Sequence, residues 1–286
     1  MDASDKVVTI SLRPVNKHGD VLNCDFRFNR ELKENNPVLI FCHGLKGFKD
    51  WGCFPYILES IAEEDIFTVS FNFSYNGVGL SGHEEQEFKR LDLFARNTFT
   101  RELDDLESIL EYLDEHQEIY NYDTKKIYLI GHSRGGGIAI IKTAENKKIK
   151  KLITLAAVST FDRYSEGLKK QWKKRGYFEG LNTRTAQMMR YDYTLWEDFE
   201  KNKERLDIQN AIKKIEIPAL IIHGAMDESV DYSEAQALYN LSNKQRTRLE
   251  IYENTDHTFG ATHPFKGTSP IIENLIQNII NFLKYT

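Results

Sequence analysis

The stretch Ile127-Tyr128-Leu129-Ile130-Gly131-His132-Ser133-Arg134-Gly135-Gly136-Gly137-Ile138-Ala139-Ile140-Ile141 decides how this chain is read. Its first four residues are an apolar run of strand length, its last four continue into a helix, and Gly131 and Gly135 stand two residues to either side of Ser133. Glycine at those places lets the chain turn sharply from strand to helix where a side chain would collide with its neighbours. The turn lifts Ser133 clear of the backbone at a helix N-terminus, where free N–H groups and the helix dipole favour developing negative charge. The competing reading is a glycine-rich turn whose serine does no more than cap the helix. The two part on whether the chain supplies partners for Ser133.

Outward from this turn, short apolar runs alternate with longer amphipathic segments, the pattern of strands joined through helices in a mostly parallel α/β sheet. Strands are expected at 37–42, 67–73, 126–130, 151–157, 219–222 and 248–252, with 7–12 and 23–28 pairing as an antiparallel edge, eight in all. In 101–116, Leu103, Leu106, Ile109, Leu110 and Leu113 recur at three- and four-residue spacing, so one stripe faces the sheet. The segment 270–284 repeats the pattern through Ile272, Leu275, Ile276, Ile279 and Leu283, with Ser269 as a cap and Pro270 in the first turn.

One interval breaks the rhythm. About 60 residues separate the strand ending near Ala157 from the next at Ala219, far longer than an ordinary crossover. Trp172, Tyr177, Phe178, Tyr191, Tyr193, Trp196 and Phe199 lie there among many charges, so 160–213 is expected to be a helical cap inserted into a single 1–286 domain. The alternative is a surface excursion that packs those aromatics on itself.

A serine hydroxyl is a poor nucleophile near neutral pH and needs a base to take its proton and a carboxylate to orient that base. After the strand at 219–222 comes His223-Gly224-Ala225-Met226-Asp227-Glu228-Ser229-Val230, and after the last strand comes Glu253-Asn254-Thr255-Asp256-His257. Both segments fall at the carboxyl ends of strands, the edge where sites form in open α/β sheets. The chain order Ser133, Asp227, His257 is the one that accompanies this kind of turn. Asp227 is preferred to Glu228 and Asp231 as the first acid after the strand, and Asp231 suits a cap for a helix starting near Tyr232. His263 is the rival to His257 but lies farther from the strand end, before Pro264, where a loop hydrogen bond suits it. Two backbone donors must also face the oxyanion of a tetrahedral intermediate. They are assigned to Arg134 N–H and, in the glycine-bearing loop His43-Gly44-Leu45-Lys46-Gly47, to Leu45 N–H. His43, His132 and His223 are read as structural, and the Arg134 side chain either meets a substrate carboxylate or pairs with an acid in the cap.

Composition bounds the function classes. A net charge of −5 over 286 residues gives no reason to expect a nucleic-acid partner, and the apolar runs are too short to span a bilayer. The basic runs at 147–151 and 169–175 read as solvated helix ends and faces. His83 and Asp92 have no metal-ligand partner at a telling spacing, so no metal or other cofactor is expected. The opening residues lack a basic region followed by an apolar core, and Cys24, Cys42 and Cys53 lack paired spacing, which together suggest free thiols in the cytoplasm.

On Gly131-His132-Ser133-Arg134-Gly135-Gly136, His43-Gly44-Leu45, Asp227 and Asp256-His257-Thr258-Phe259, the chain from about residue 37 onward resembles the α/β-hydrolase superfamily. Within it the chain looks like the serine esterase branch with feruloyl and cinnamoyl esterases and dienelactone-hydrolase-like proteins, relatives that carry a cap where 160–213 falls. Two departures stand out: dienelactone hydrolases use a cysteine where this chain has Ser133, and the segment 71–81 lacks the Asp and Arg common in relatives at that turn. The resemblance implies an acyl-enzyme hydrolase of small-molecule carboxylic esters, with apolar or aromatic acyl groups suggested by the cap. Amide or peptide hydrolysis on the same fold, and a non-catalytic ligand-binding homologue, are the alternatives.

Overall fold

The computed structural model describes residues 6–31, 34–81, 84 and 86–286. All eight expected strands are present in it, with two more inside the insertion. In chain order they are β1 (Val7–Leu12), β2 (Cys24–Asn29), β3 (Asn36–Cys42), β4 (Phe67–Phe71), β5 (Tyr122–His132), β6 (Ile149–Leu155), β7 (Tyr177–Asn182), β8 (Gln187–Asp192), β9 (Ala219–Gly224) and β10 (Thr247–Tyr252). The main sheet runs β1-β2-β4-β3-β5-β6-β9-β10. β1–β2 and β2–β4 are antiparallel, and every later neighbour is parallel. The expected sheet is therefore the observed one.

β3 is buried along nearly its whole length, which explains why the sequence shows a continuous apolar run at Val38 to Cys42 rather than alternation. Leu129 lies between Ile40 of β3 and Leu152 of β6, all fully buried. The helix Phe99–Tyr120 buries its leucine and isoleucine stripe, and its first turn is capped by Thr98 Oγ1 accepting from Arg101 N–H at 3.3 Å. The helix Pro270–Tyr285 is capped likewise by Ser269 and buries Ile272, Leu275, Ile276, Ile279 and Leu283. Each such side chain contributes about 2 kcal/mol when removed from water, so these two stripes are a large part of what fixes the helices to the sheet.

The insertion departs from the helical expectation in its middle. Helices Glu166–Arg175, Thr194–Lys201 and Ile208–Ile212 are present, but β7 and β8 form an antiparallel hairpin between the first two. Gly176, at φ +82°, ends the first helix in the left-handed conformation that glycine adopts without strain. Across the hairpin Phe178 faces Tyr191, their rings stacked at 4.6 Å and 6°. Trp172 packs edge-on against Phe178 at 4.6 Å and donates from Nε1 to Tyr191 O at 2.9 Å. Most of the insertion's aromatics thus pack on one another, in a cluster continuous with the main core. The hairpin is tied to the main body by Phe94, edge-on to Tyr191 at 5.1 Å, and by Gln187 Nε2 donating to Phe88 O at 3.0 Å. Among the described residues, no helix is long and apolar enough to cross a membrane.

Candidate active site

Ser133 sits between β5 and the helix Arg134–Glu145 with φ 55° and ψ −121°, a left-handed position rarely held by a residue with a side chain. The close packing around it explains the glycines. A Cβ on Gly131 would lie 2.4 Å from Gly135 O, and one on Gly135 would lie 2.3 Å from Cys42 O. The turn is pinned by Ser133 N–H donating to Leu155 O at 2.8 Å, so the central strands hold the strained residue in place.

The His43–Gly47 loop lies directly beside it. A Cβ on Gly44 would meet Ser133 Cβ at 2.9 Å, and Gly47 N–H closes the turn onto Gly44 O at 3.0 Å. Leu45 and Lys46 occupy the tip, with Lys46 at φ 56°. His43 is buried beneath, Nδ1 donating to Gly44 O at 2.9 Å and Nε2 accepting from Phe73 N–H at 3.2 Å. Burial lowers its pKa to about 4, so it is a neutral strut for this loop. No partner is found among the described residues for the N–H of Leu45 or of Arg134.

Asp227 and His257, on the loops after β9 and β10, meet at 2.7 Å between Oδ2 and Nδ1. Asp227 is the acceptor for a full set of donors. Its Oδ1 takes Ser229 N–H at 2.8 Å and Val230 N–H at 2.9 Å, and its Oδ2 also lies 3.1 Å from His223 Nε2. Burial opposes the charge, yet the hydrogen bonds from His223 and His257 hold this carboxyl far below the ordinary carboxylate range. His132 Nε2 donates to His257 O at 2.9 Å and its ring lies 4.6 Å from the His257 ring. Burial, with the neighbouring His257 adding to it, drops the His132 pKa to about 3, leaving a neutral ring beside His257.

Ser133 and His257 line one pocket of about 290 Å³ with Leu45, Arg134, Phe161 and Tyr164. Among the described residues, no hydrogen bond joins the Ser133 hydroxyl to the His257 ring. The residues singled out in the sequence thus gather at one sheet edge, with Asp227 on His257 and Ser133 across the pocket from it. The rivals fall elsewhere: Asp231 Oδ1 accepts Ser233 N–H at 2.9 Å, and His263 Nδ1 accepts Gly52 N–H at 3.1 Å. Asp92 pairs with Arg96, and His83 lies outside the described residues.

Three features were not read from the sequence. The Arg134 side chain pairs with Glu102, Nε to Oε2 at 2.9 Å, and lies over the Phe99 ring at 4.4 Å. Glu102 belongs to the helix Phe99–Tyr120, so the acid expected in the cap is supplied by the main body. Second, none of the seven cap aromatics named from the sequence lines this pocket; Phe161 and Tyr164, at the start of the insertion, do so with Phe99. Third, His223 Nε2 sits 2.8 Å from Val230 O and 3.1 Å from Asp227 Oδ2, a second ring beside the carboxylate for which the only sequence signal was a histidine four residues before the acid.

A mostly parallel eight-stranded sheet, with a strained serine turn after its central strand and the acid and histidine loops at the same edge, is the architecture of the α/β hydrolases. The chain belongs to the BD-FAE family, whose model matches residues 90–241. Human monoglyceride lipase is 22% identical over 232 residues, covering 70% of this chain and 69% of that protein. Among solved structures, Est1E from Butyrivibrio proteoclasticus, also known with ferulic acid bound, matches with a TM-score of 0.68 at 17% identity, over 96% of this chain and 97% of its own. The α/β hydrolase GrgF from Penicillium sp. sh18 matches with a TM-score of 0.72 at 16% identity, over 97% and 98% of the two chains.

Proposed function

We propose that this protein hydrolyses carboxylic esters through an acyl-enzyme formed on Ser133. The observation that carries the reading is the shared pocket, in which Ser133 at its strained turn faces a histidine already bound to a buried carboxylate. Ser133 Oγ attacks the ester carbon while His257 Nε2 takes its proton. Asp227 holds Nδ1–H, fixing the tautomer and stabilising the imidazolium. The carbonyl oxygen becomes an oxyanion held by the N–H groups of Leu45 and Arg134, each worth about 3 to 4 kcal/mol of barrier. Collapse expels the alcohol, protonated by His257, and water repeats the sequence to release the acid. A hydrogen bond between serine and histidine that forms only with substrate in place is common in such sites.

Phe99, Phe161 and Tyr164 line the pocket and suit an apolar or aromatic acyl group. The names of the relatives, a monoglyceride lipase and a protein with ferulic acid bound, support ester chemistry. Residues 160–213 serve as a cap within one domain, contributing Phe161, Arg163, Tyr164 and Arg184 to the pocket wall. Turnover of a p-nitrophenyl acyl panel tests the reading. Wild type is active and Ser133→Ala is not; equal inactivity of both on the whole panel overturns it.

A further inference from the structure

Among the described residues, the pocket that holds Ser133 is lined by four cations, Lys46, Arg134, Arg163 and Arg184, and by no carboxylate. Two of them are neutralised from outside it, Arg134 by Glu102 and Arg163 by Glu234. Lys46 and Arg184 have no acidic partner among the described residues. They come from distant segments, the loop tip beside Ser133 and the turn of the β7–β8 hairpin, and each is fastened to the other's segment. Lys46 Nζ donates to Leu181 O at 3.1 Å, and Arg184 Nη2 donates to Lys46 O at 3.4 Å. Arg184 also lies over the Trp51 ring at 4.9 Å, which orients its guanidinium.

Two like charges brought together without an acid between them repel, and the repulsion is felt here: burial and the nearby Arg184 both lower the pKa of Lys46. An arrangement of this kind is relieved when an anion sits between the cations. Arg134, also on this lining, is buried and committed to Glu102. The pocket therefore carries two cations without acidic partners among the described residues and suits a negatively charged group.

We propose that the substrate is an ester carrying a negatively charged group, a carboxylate or a phosphate, which Lys46 and Arg184 hold beside Ser133. The inference rests on the esterase reading of this pocket and adds the substrate's charge to it. It also assigns the hairpin a purpose, since Arg184 reaches the pocket only from the β7–β8 turn.

A matched pair of esters tests it, p-nitrophenyl hemiglutarate against p-nitrophenyl valerate, which differ by a carboxylate in place of a terminal methyl. Wild type is expected to favour the hemiglutarate in kcat/KM. The ratio of the two values is expected to fall about ten-fold in Arg184→Gln and in Lys46→Gln, the loss of one charge-assisted hydrogen bond. A ratio below one in wild type, or a ratio that the two variants leave unchanged, overturns the proposal while leaving the esterase reading intact. Calorimetric titration with glutarate, inorganic phosphate and neutral glutaramide gives a readout independent of turnover. Binding of either anion that Arg184→Gln abolishes supports the site even if neither ester is hydrolysed, and the anion bound tells carboxylate from phosphate. Failure of both anions to bind wild type, or binding unaltered in the variant, overturns it.

Discussion

Replacing Asp227 by asparagine removes one charge and leaves the shape almost unchanged, and the structure predicts a large effect. Every contact to this side chain comes from a donor: Ser229 and Val230 N–H on Oδ1, His257 Nδ1 on Oδ2, and His223 Nε2, shared with Val230 O, 3.1 Å from Oδ2. An asparagine must present its NH2 to one of those pairs. If it faces the two backbone groups, the loop after β9 is forced apart; if it faces the rings, His257 turns or takes the tautomer with the proton on Nε2. In that tautomer the ring cannot accept the Ser133 proton. Loss of the correct tautomer in a serine–histidine–aspartate site costs about 10⁴ in kcat, or about 5.4 kcal/mol of barrier at about 1.36 kcal/mol per decade. Stability falls as well. The carboxyl's folded-state pKa lies below its unfolded value, so its stabilisation is complete above the unfolded carboxylate pKa and is lost as pH falls through the folded one. The Asp227→Asn variant forfeits that contribution at neutral pH. The assay is p-nitrophenyl ester turnover at neutral pH on Asp227→Asn, Glu228→Gln and Asp231→Asn, with thermal melts of each. A rate for Asp227→Asn within about ten-fold of wild type, with Glu228→Gln or Asp231→Asn falling about 10³-fold, would refute the assignment and move the carboxylate elsewhere.

Further outcomes follow from packing and burial. Gly135→Ala drives a Cβ to 2.3 Å from Cys42 O, between backbone groups that cannot swing aside, so soluble expression and Tm are expected to drop sharply. Glu102→Gln leaves Arg134 buried beside a neutral partner, and denaturant unfolding is expected to show a loss of about 3 to 5 kcal/mol. His43 and His132 are neutral in the folded protein, with pKa values of about 4 and about 3, below that of a free histidine. The unfolded chain thus binds more protons between those values and about 6.5, so the melting temperature falls from pH 7 to pH 5, less steeply in His132→Asn. Cys24, Cys42 and Cys53 are buried, and burial raises all three thiol pKa values, that of Cys53 to about 12. A thiol-reactive disulfide reagent is expected to titrate three groups only after unfolding, as counted in the sequence.

The sheet was legible because its central strands are buried on both faces and mostly apolar, unbroken at Leu39 to Cys42 and interrupted only by Thr68 and Ser70 in Phe67–Phe71. The two long helices were legible through their stripes and caps, though Phe99–Tyr120 starts before the periodic segment, where Thr98 caps it, and runs past its end to a left-handed Asn121. The β7–β8 hairpin was not. Its strands are half-exposed, Leu181 and Met188 put apolar side chains on the exposed face while Asn182 is buried, and the pairing that secures it, Phe178 on Tyr191, is a contact between residues 13 positions apart. In the candidate site, Ser133, Asp227 and His257 were readable because each follows a strand end, which chain order alone identifies. Glu102, Lys46 and Arg184 were not, since an ordinary charged residue on a helix or loop carries no mark of what it will face across the fold.

The central claim is that Ser133 is an activated nucleophile, and a fluorophosphonate probe tests it most directly. Peptide mapping by mass spectrometry, after labelling of the intact, folded protein, is expected to find one covalent adduct per chain, on Ser133, formed much more slowly in His257→Ala and absent in Ser133→Ala. No adduct on Ser133, under conditions that label a control serine hydrolase to completion, would contradict the account.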